Sequence, residues 1–277
     1  KTAYFTADSA LENGYVEAVQ TLNNWSNESC TEPTLILLRD IAYGTQLNLT
    51  GNLTIAGETH TARNVTVAED ANVTFASGSY SGAIINGTAT VKEGVEFTTA
   101  TITVNGTLNA EGGTFNGNVK FENGSTVNIS GGSFDGGMIS AYQQQVSHAQ
   151  VVRGNFDVTI SGKPTFKTGT ILDATAVKSY PGSSTKATLT MPAALSGVVV
   201  RRFDRVNGAA QAYSEPLRIV TIGDSITEGY GGSFATQSYP ARIAARLMRE
   251  GKDTLVGNYG LSSAGMTLGK AARVYYP

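Results

Sequence analysis

A repeat of 19 residues constrains the fold of this chain more than any other feature. Residues 105–117 and residues 126–136 share one pattern, in which an alternating run leads into Gly-Gly, a small polar residue and Phe. The Asn-Gly-Thr triplet at 86–88 matches the triplet at 105–107, and looser copies lie at 64–75 and 156–166. Short strands between turns, on a period near 20 residues, indicate a parallel β-solenoid.

Apolar and polar residues alternate within these repeats, as strands with one buried face require. The apolar positions include Ile102, Val104, Leu108, Val119, Phe121, Val127 and Ile129. No coil can bury its apolar face alone, so neighbouring coils must stack on a shared core. The pattern resembles the right-handed parallel β-helix regions of bacterial surface proteins and polysaccharide-acting enzymes, over about residues 1–175.

A helix at residues 9–25 is predicted to cover the first coil of the solenoid. Leu11, Tyr15 and Val19 fall on one helical face, and Asp8 or Ser9 is a suitable N-cap. The prediction is an amphipathic helix that covers the first coil, followed by a strand at 34–38; the alternative is an ordinary surface helix.

The composition excludes several classes of partner. The net charge is -2 and charged residues make up 15 %, which argues against binding to nucleic acid. No stretch approaches the roughly 18 apolar residues of a membrane helix, so no membrane span is predicted. Two His and one Cys make no metal-ligand cluster, and we expect neither a metal nor an organic cofactor.

The end of the solenoid is predicted near residue 205. Residues 187–189 and 198–203 read as strands that close the last coil, and 206–216 reads as a linker. Arg201, Arg202 and Arg205 surround Asp204, which predicts a solvated surface of mixed charge. The predicted organisation is therefore a β-solenoid at 1–205, a linker at 206–216 and a second domain at 217–277.

A second kind of pattern begins at residue 217. The apolar run 217–222 ends in Gly223, Asp224 and Ser225, a sharp turn that presents a serine at the start of a helix. A complete helix follows at 238–251, with Ser238 as its cap and Pro240 in its first turn, and then a strand at 254–256. Strand, helix and strand predict a β-α-β unit with a parallel sheet, whose candidate loops share the carboxyl edge.

These residues resemble the GDSL/SGNH hydrolase family of esterases and acylhydrolases. Gly223, Asp224 and Ser225 match the family's first block, and Asn258 with Gly260 matches its second. The resemblance covers about residues 217–277, the first third of such an α/β, flavodoxin-like domain. It implies Ser225 as the nucleophile that forms an acyl-enzyme, supported by Gly223, Asp224 and Asn258.

The resemblance also implies an oxyanion hole. The backbone N–H of Ser225 is one implied donor. The second donor comes from the second block, where Ser263, Gly265 and Gly260 are the candidates.

The family's later blocks, Gly-x-Asn-Asp and Asp-x-x-His, do not occur in this chain. His60 and His148 lie in the solenoid, and neither has an Asp three residues earlier. Because a serine without its base is a weak nucleophile, we expect little or no esterase activity from this polypeptide as given. We expect it to be a fragment of an extracellular or cell-surface esterase that removes acyl groups, by analogy acetyl, from a polysaccharide.

The rival interpretation is an adhesive or glycan-binding β-solenoid without catalytic activity. An exposed row of aromatic side chains along one face would favour it. Most of the aromatic candidates are predicted to face the core instead; these candidates are Tyr80, Phe97, Phe115, Phe121 and Phe134.

Overall fold

The computed structural model describes residues 2–7, 32–41, 46–122, 124–140, 155–174, 187–193, 195–213, 217–229 and 238–260. Strands dominate these ranges, and the helices among them follow residue 224. The predicted capping helix at 9–25 lies outside the described residues.

The described residues between 2 and 210 form a mainly β fold of stacked parallel strands, which is consistent with the β-solenoid predicted from the repeat. Its strands are β1 Thr2–Ala7, β2 Glu32–Leu37, β3 Leu47–Leu49, β4 Asn52–Val67, β5 Asn72–Ile85, β6 Thr88–Val91, β7 Val95–Phe97, β8 Ile102–Val104, β9 Thr107–Ala110, β10 Thr114–Phe115, β11 Val119–Phe121, β12 Thr126–Ile129, β13 Ser133–Phe134, β14 Met138–Ser140, β15 Phe156–Ile160, β16 Thr165–Phe166, β17 Thr170–Asp173, β18 Ala187–Thr190, β19 Val198–Arg201, β20 Arg205–Val206 and β21 Ala209–Ala210.

Successive coils contribute strands to three faces. The first face contains β2, β6, β9, β12, β15 and β18; the second contains β7, β10, β13 and β16; the third contains β3, β8, β11, β14, β17 and β19. The long strands β4 and β5 run through all three. Thr88 pairs with Thr107, and Thr107 pairs with Thr126. Residues that are one 19-residue period apart in the sequence therefore pair with each other in neighbouring coils.

The repeated Asn-Gly pair has a physical cause at one corner of the solenoid. The Asn105 amide donates to Asn86 Oδ1 at 2.7 Å, which links two successive coils. A Cβ at Gly106 would clash with the backbone carbonyl of Gly87 in the coil below. The corner therefore selects an amide for the inter-coil bond and a glycine for the close approach.

One aromatic column fills the core behind the second face. Tyr80, Phe97, Phe115 and Phe134 pair in register from coil to coil and are buried. The rings of Phe115 and Phe134 stack with centroids 4.5 Å apart. Phe121 is buried as well, so all five aromatic residues face the core, as was predicted for most of them.

The solenoid closes as predicted, with one difference at its end. β18 pairs with β15 and β19 pairs with β17, so both strands extend the last coil. β20 and β21 then form an antiparallel hairpin. This hairpin occupies the first part of the predicted linker at 206–216.

The second region, the α/β unit, comprises β22 Leu217–Gly223, α1 Ser225–Glu228, α2 Tyr239–Arg249 and β23 Thr254–Gly260. β22 and β23 pair in parallel, as the β-α-β pattern predicted. The Ser238 hydroxyl caps α2 by accepting from the Ala241 N–H at 3.4 Å. Pro240 lies in the first turn, where its missing N–H costs nothing.

The α/β unit packs against the third face of the solenoid through α2. Ala244 and Met248 of α2 are buried with Val256 of β23 and with Ile171 of β17. Met138 of β14 packs against the same cluster. The helix α2 therefore contacts both its own sheet and the solenoid.

An ion-pair cluster reinforces this interface and corrects the prediction of a solvated charged surface. Arg201 is only 7 % exposed, and its guanidinium donates to Asp253 Oδ1 at 2.6 Å. Arg202 donates to both carboxylate oxygens of Asp253. Successive side chains of a regular strand point to opposite faces. Because the backbone at Arg202 is left-handed, with φ 56°, the side chains of Arg201 and Arg202 can instead reach the same carboxylate.

The prediction of a solvated surface around Asp204 is wrong for Arg201 and Arg202, whereas Arg205 is exposed as predicted. The carboxylate of Asp204 instead accepts from the backbone N–H of Ala187 at 2.7 Å. The actual partner, Asp253, lies 52 residues from Arg201.

Candidate active site

Ser225 lies at the carboxyl end of β22, where the sequence predicted it. The Asp224 carboxylate accepts from the Ile226 N–H at 3.0 Å and so caps α1. Ser225 is the first residue of this one-turn helix and is half-buried. The helix ends at Gly229, which has a left-handed backbone with φ 103°.

Two glycines let α1 pack across the ends of both strands. Gly223 and Gly260 are paired in register at the carboxyl edge of the sheet. A Cβ at Gly223 would clash with the side chain of Thr227, and one at Gly260 would clash with the backbone of Thr227 and Glu228. Any larger residue at either position would displace α1 and therefore Ser225.

Asn258 fastens the turn that carries Ser225. Its side chain is fully buried, and its amide donates to the Thr227 carbonyl at 2.8 Å. Its Oδ1 accepts from the Gly260 N–H at 2.9 Å. Asn258 therefore links α1 to β23 with both halves of one amide, which gives a physical basis to its predicted supporting role.

Two residues of the site were missed in the sequence analysis. Thr227 is buried beneath Gly223, and its hydroxyl lies 3.3 Å from the Tyr239 hydroxyl at the start of α2. This contact joins α1 to α2. The start of α2 was predicted from the sequence, but no local pattern indicates which hydroxyl group the Tyr239 side chain contacts.

The remaining predicted site residues do not join this cluster in the described part of the chain. Ser263, Gly265 and His148 lie outside the described residues. His60 belongs to β4 in an early coil, where its Nδ1 lies 3.6 Å from Asp40 Oδ1. Its place in the solenoid therefore agrees with the sequence, and it is not part of the cluster around Ser225.

Within the described ranges, no group of three or more His, Cys, Asp and Glu side chains is placed to hold a metal ion. Nor does any described helix have the length and apolarity needed to cross a membrane.

Comparisons with known proteins identify no relative: no family model, no curated protein and no solved structure matches this chain. Functional assignment therefore depends on the geometry of the site and on its chemistry.

Proposed function

We propose that the α/β unit carries the nucleophile of a serine esterase or acylhydrolase of the GDSL/SGNH type. The observation that carries this proposal is the position of Ser225, at a helix start directly beyond a parallel strand. The paired glycines and Asn258 support it, because they hold the serine turn against both strand ends. Such rigid support is what a positioned nucleophile requires.

In the proposed reaction, the base of the later Asp-x-x-His block takes the hydroxyl proton of Ser225 as Oγ attacks the carbonyl carbon of an ester and forms a tetrahedral intermediate. The same base gives that proton to the oxygen of the departing alcohol. The alcohol then leaves, and water hydrolyses the acyl-enzyme. We assign the acyl donor to an acylated, by analogy acetylated, polysaccharide outside the cell or at its surface.

The backbone N–H of Ser225 is the first proposed oxyanion donor. For the second donor we favour Ser263 or Gly265 over Gly260. The Gly260 N–H already donates to Asn258 at 2.9 Å, and a committed donor contributes less to a developing oxyanion.

This polypeptide is expected to be nearly inactive, because its sequence does not contain the Asp-x-x-His block that would supply a base for Ser225. Its rate of hydrolysis of p-nitrophenyl acetate should lie within about twofold of the Ser225→Ala rate. A clear, Ser225-dependent rate would contradict this expectation.

The esterase proposal itself is tested by reading the coding region beyond Pro277. We expect Gly-x-Asn-Asp and then Asp-x-x-His, and a polypeptide extended to include them should hydrolyse the ester. Ser225→Ala should then lower kcat by at least about a thousandfold, whereas Ser133→Ala, a serine of the solenoid, should not. A coding region that ends at Pro277 would contradict the proposal.

The rival, an adhesive or glycan-binding solenoid, obtains no support from aromatic residues, because the five candidates are buried. One observation still favours a binding function, which is an uncharged groove on the solenoid.

A further inference from the structure

A groove of about 550 Å³ crosses early coils of the solenoid, where the second face turns into the third. Its polar lining comes from Gln46, Asn64, Thr66, Ser81, Thr101 and Thr103. These residues belong to four successive coils, so the groove extends along the solenoid axis for about 14 Å at ordinary strand spacing. A volume of this size lies in the range of sites that hold small organic ligands.

The groove contains hydroxyl and amide groups and, among its described lining residues, no charged side chain. Hydroxyls and amides both donate and accept hydrogen bonds, as the hydroxyls of a sugar do. Ile84 lies on the groove wall and is 44 % exposed, which offers an apolar surface to the C–H face of a sugar ring. An ionic ligand would lose hydration here without gaining a counter-charge.

The register of the third face places this groove on the same flank as the α/β unit. Ile84 pairs with Thr103, and Thr103 with Lys120 in the next coil. The same row of positions continues through Ser140 to Asp173, beside the surface on which α2 packs. Three strand spacings, about 14 Å, separate the coil of Thr103 from that of Asp173.

We propose that this groove binds a neutral oligosaccharide, with the chain lying along the solenoid axis and directed toward the α/β unit. The spacing of successive coils is close to the length of one sugar residue in an extended chain, so each coil presents hydroxyls or amides to a successive sugar. The proposal concerns binding alone and does not rest on the esterase assignment.

The test uses isothermal titration of the full chain with cellohexaose, xylohexaose and mannohexaose, and with hexagalacturonate as the charged comparison. These sugars carry no ester, so the result is independent of hydrolysis. We expect at least one neutral hexasaccharide to bind with a Kd below about 1 mM, and more tightly than hexagalacturonate.

Thr103→Trp, which fills the groove, should weaken that binding by at least about tenfold. The matched control Thr74→Trp, at a half-buried outward position of the first face, should change it less than about twofold. Thr101→Glu provides a second groove variant, and thermal unfolding checks that each variant folds. Absence of binding to all three neutral sugars, tighter binding of hexagalacturonate, or equal losses in Thr103→Trp and Thr74→Trp would overturn the proposal.

Discussion

The solenoid and the α/β unit bury their apolar side chains in different ways. In the solenoid one continuous buried cluster extends from Leu35 to Phe203, because every coil packs on the next. In the α/β unit the buried cluster is small, and Ile171 of the solenoid completes it. A repeating fold supplies its own packing partners, whereas two strands and a helix depend on a neighbouring surface.

The α/β unit also exposes large apolar side chains at its surface. Val220 of β22 is 62 % exposed and Ile226 of α1 is 76 % exposed, so the α/β unit leaves apolar surface uncovered. The described part of this unit, with its two paired strands, is expected to be marginally stable on its own. The contacts of α2 with Ile171 and of Asp253 with the arginines therefore connect its stability to the solenoid.

The largest expected effect comes from the aromatic column of the solenoid. Phe115→Ala should lower the free energy of unfolding by about 3–5 kcal/mol, because it opens a cavity between two stacked rings. Phe115 lies 5.4 Å from Phe97 and 4.5 Å from Phe134. Urea unfolding measures the change, and Phe166→Ala, at the half-buried end of the column, serves as the control. Equal losses in the two variants would contradict the model of a continuous column that is tightest at its centre.

An intermediate effect is expected at the interface between the two regions. Asp253→Ala removes the carboxylate shared by Arg201 and Arg202 and should cost about 2 kcal/mol. Hydrogen exchange should become faster in α2 and β23 and remain unchanged in β9 and β12.

The control for this variant is Glu250→Ala, which breaks an exposed ion pair with Arg246 on α2. A pair of this kind contributes only about 0.3–0.5 kcal/mol. Faster hydrogen exchange throughout the Asp253→Ala chain would contradict this prediction, because the loss of stability would then not be confined to the α/β unit.

The smallest expected effect is a change in the stability of the fold with pH, caused by Asp253. Partial burial by itself would raise the pKa of Asp253, but hydrogen bonds from Arg202 and Arg201 outweigh it and hold the pKa below the ordinary 3.8. A carboxyl whose pKa is depressed by folding stabilises fully above its unfolded pKa, and the contribution is lost as the pH falls through the folded pKa.

Thermal unfolding of the wild-type and Asp253→Ala chains between about pH 7 and about pH 2 measures this contribution. The difference in Tm should be constant near neutral pH and should shrink below the ordinary pKa of Asp253. A difference that stays constant down to the lowest pH would contradict the ion-pair explanation.

Much of this structure could be predicted because the governing interactions are local or periodic. The triplets at 86–88 and 105–107 marked a corner at which amide and glycine recur from coil to coil. The apolar run before Gly223 predicted β22, and Ser238 with Pro240 predicted the start of α2. In each case the residues that determine the element lie within it or one repeat away.

Only the tertiary structure decided how the two regions meet and which groups at the site are already engaged. The burial of Arg201, the pairing of Arg202 with Asp253 and the contact of α2 with Ile171 all join residues far apart in the chain. The buried Asn258 amide likewise donates to the Thr227 carbonyl, 31 residues away in the chain. The sequence by itself determined the periodic solenoid and the strand–serine–helix order, because both depend on short-range patterns. The contacts between the two regions depend instead on the path of the whole chain, and no short-range sequence pattern specifies that path.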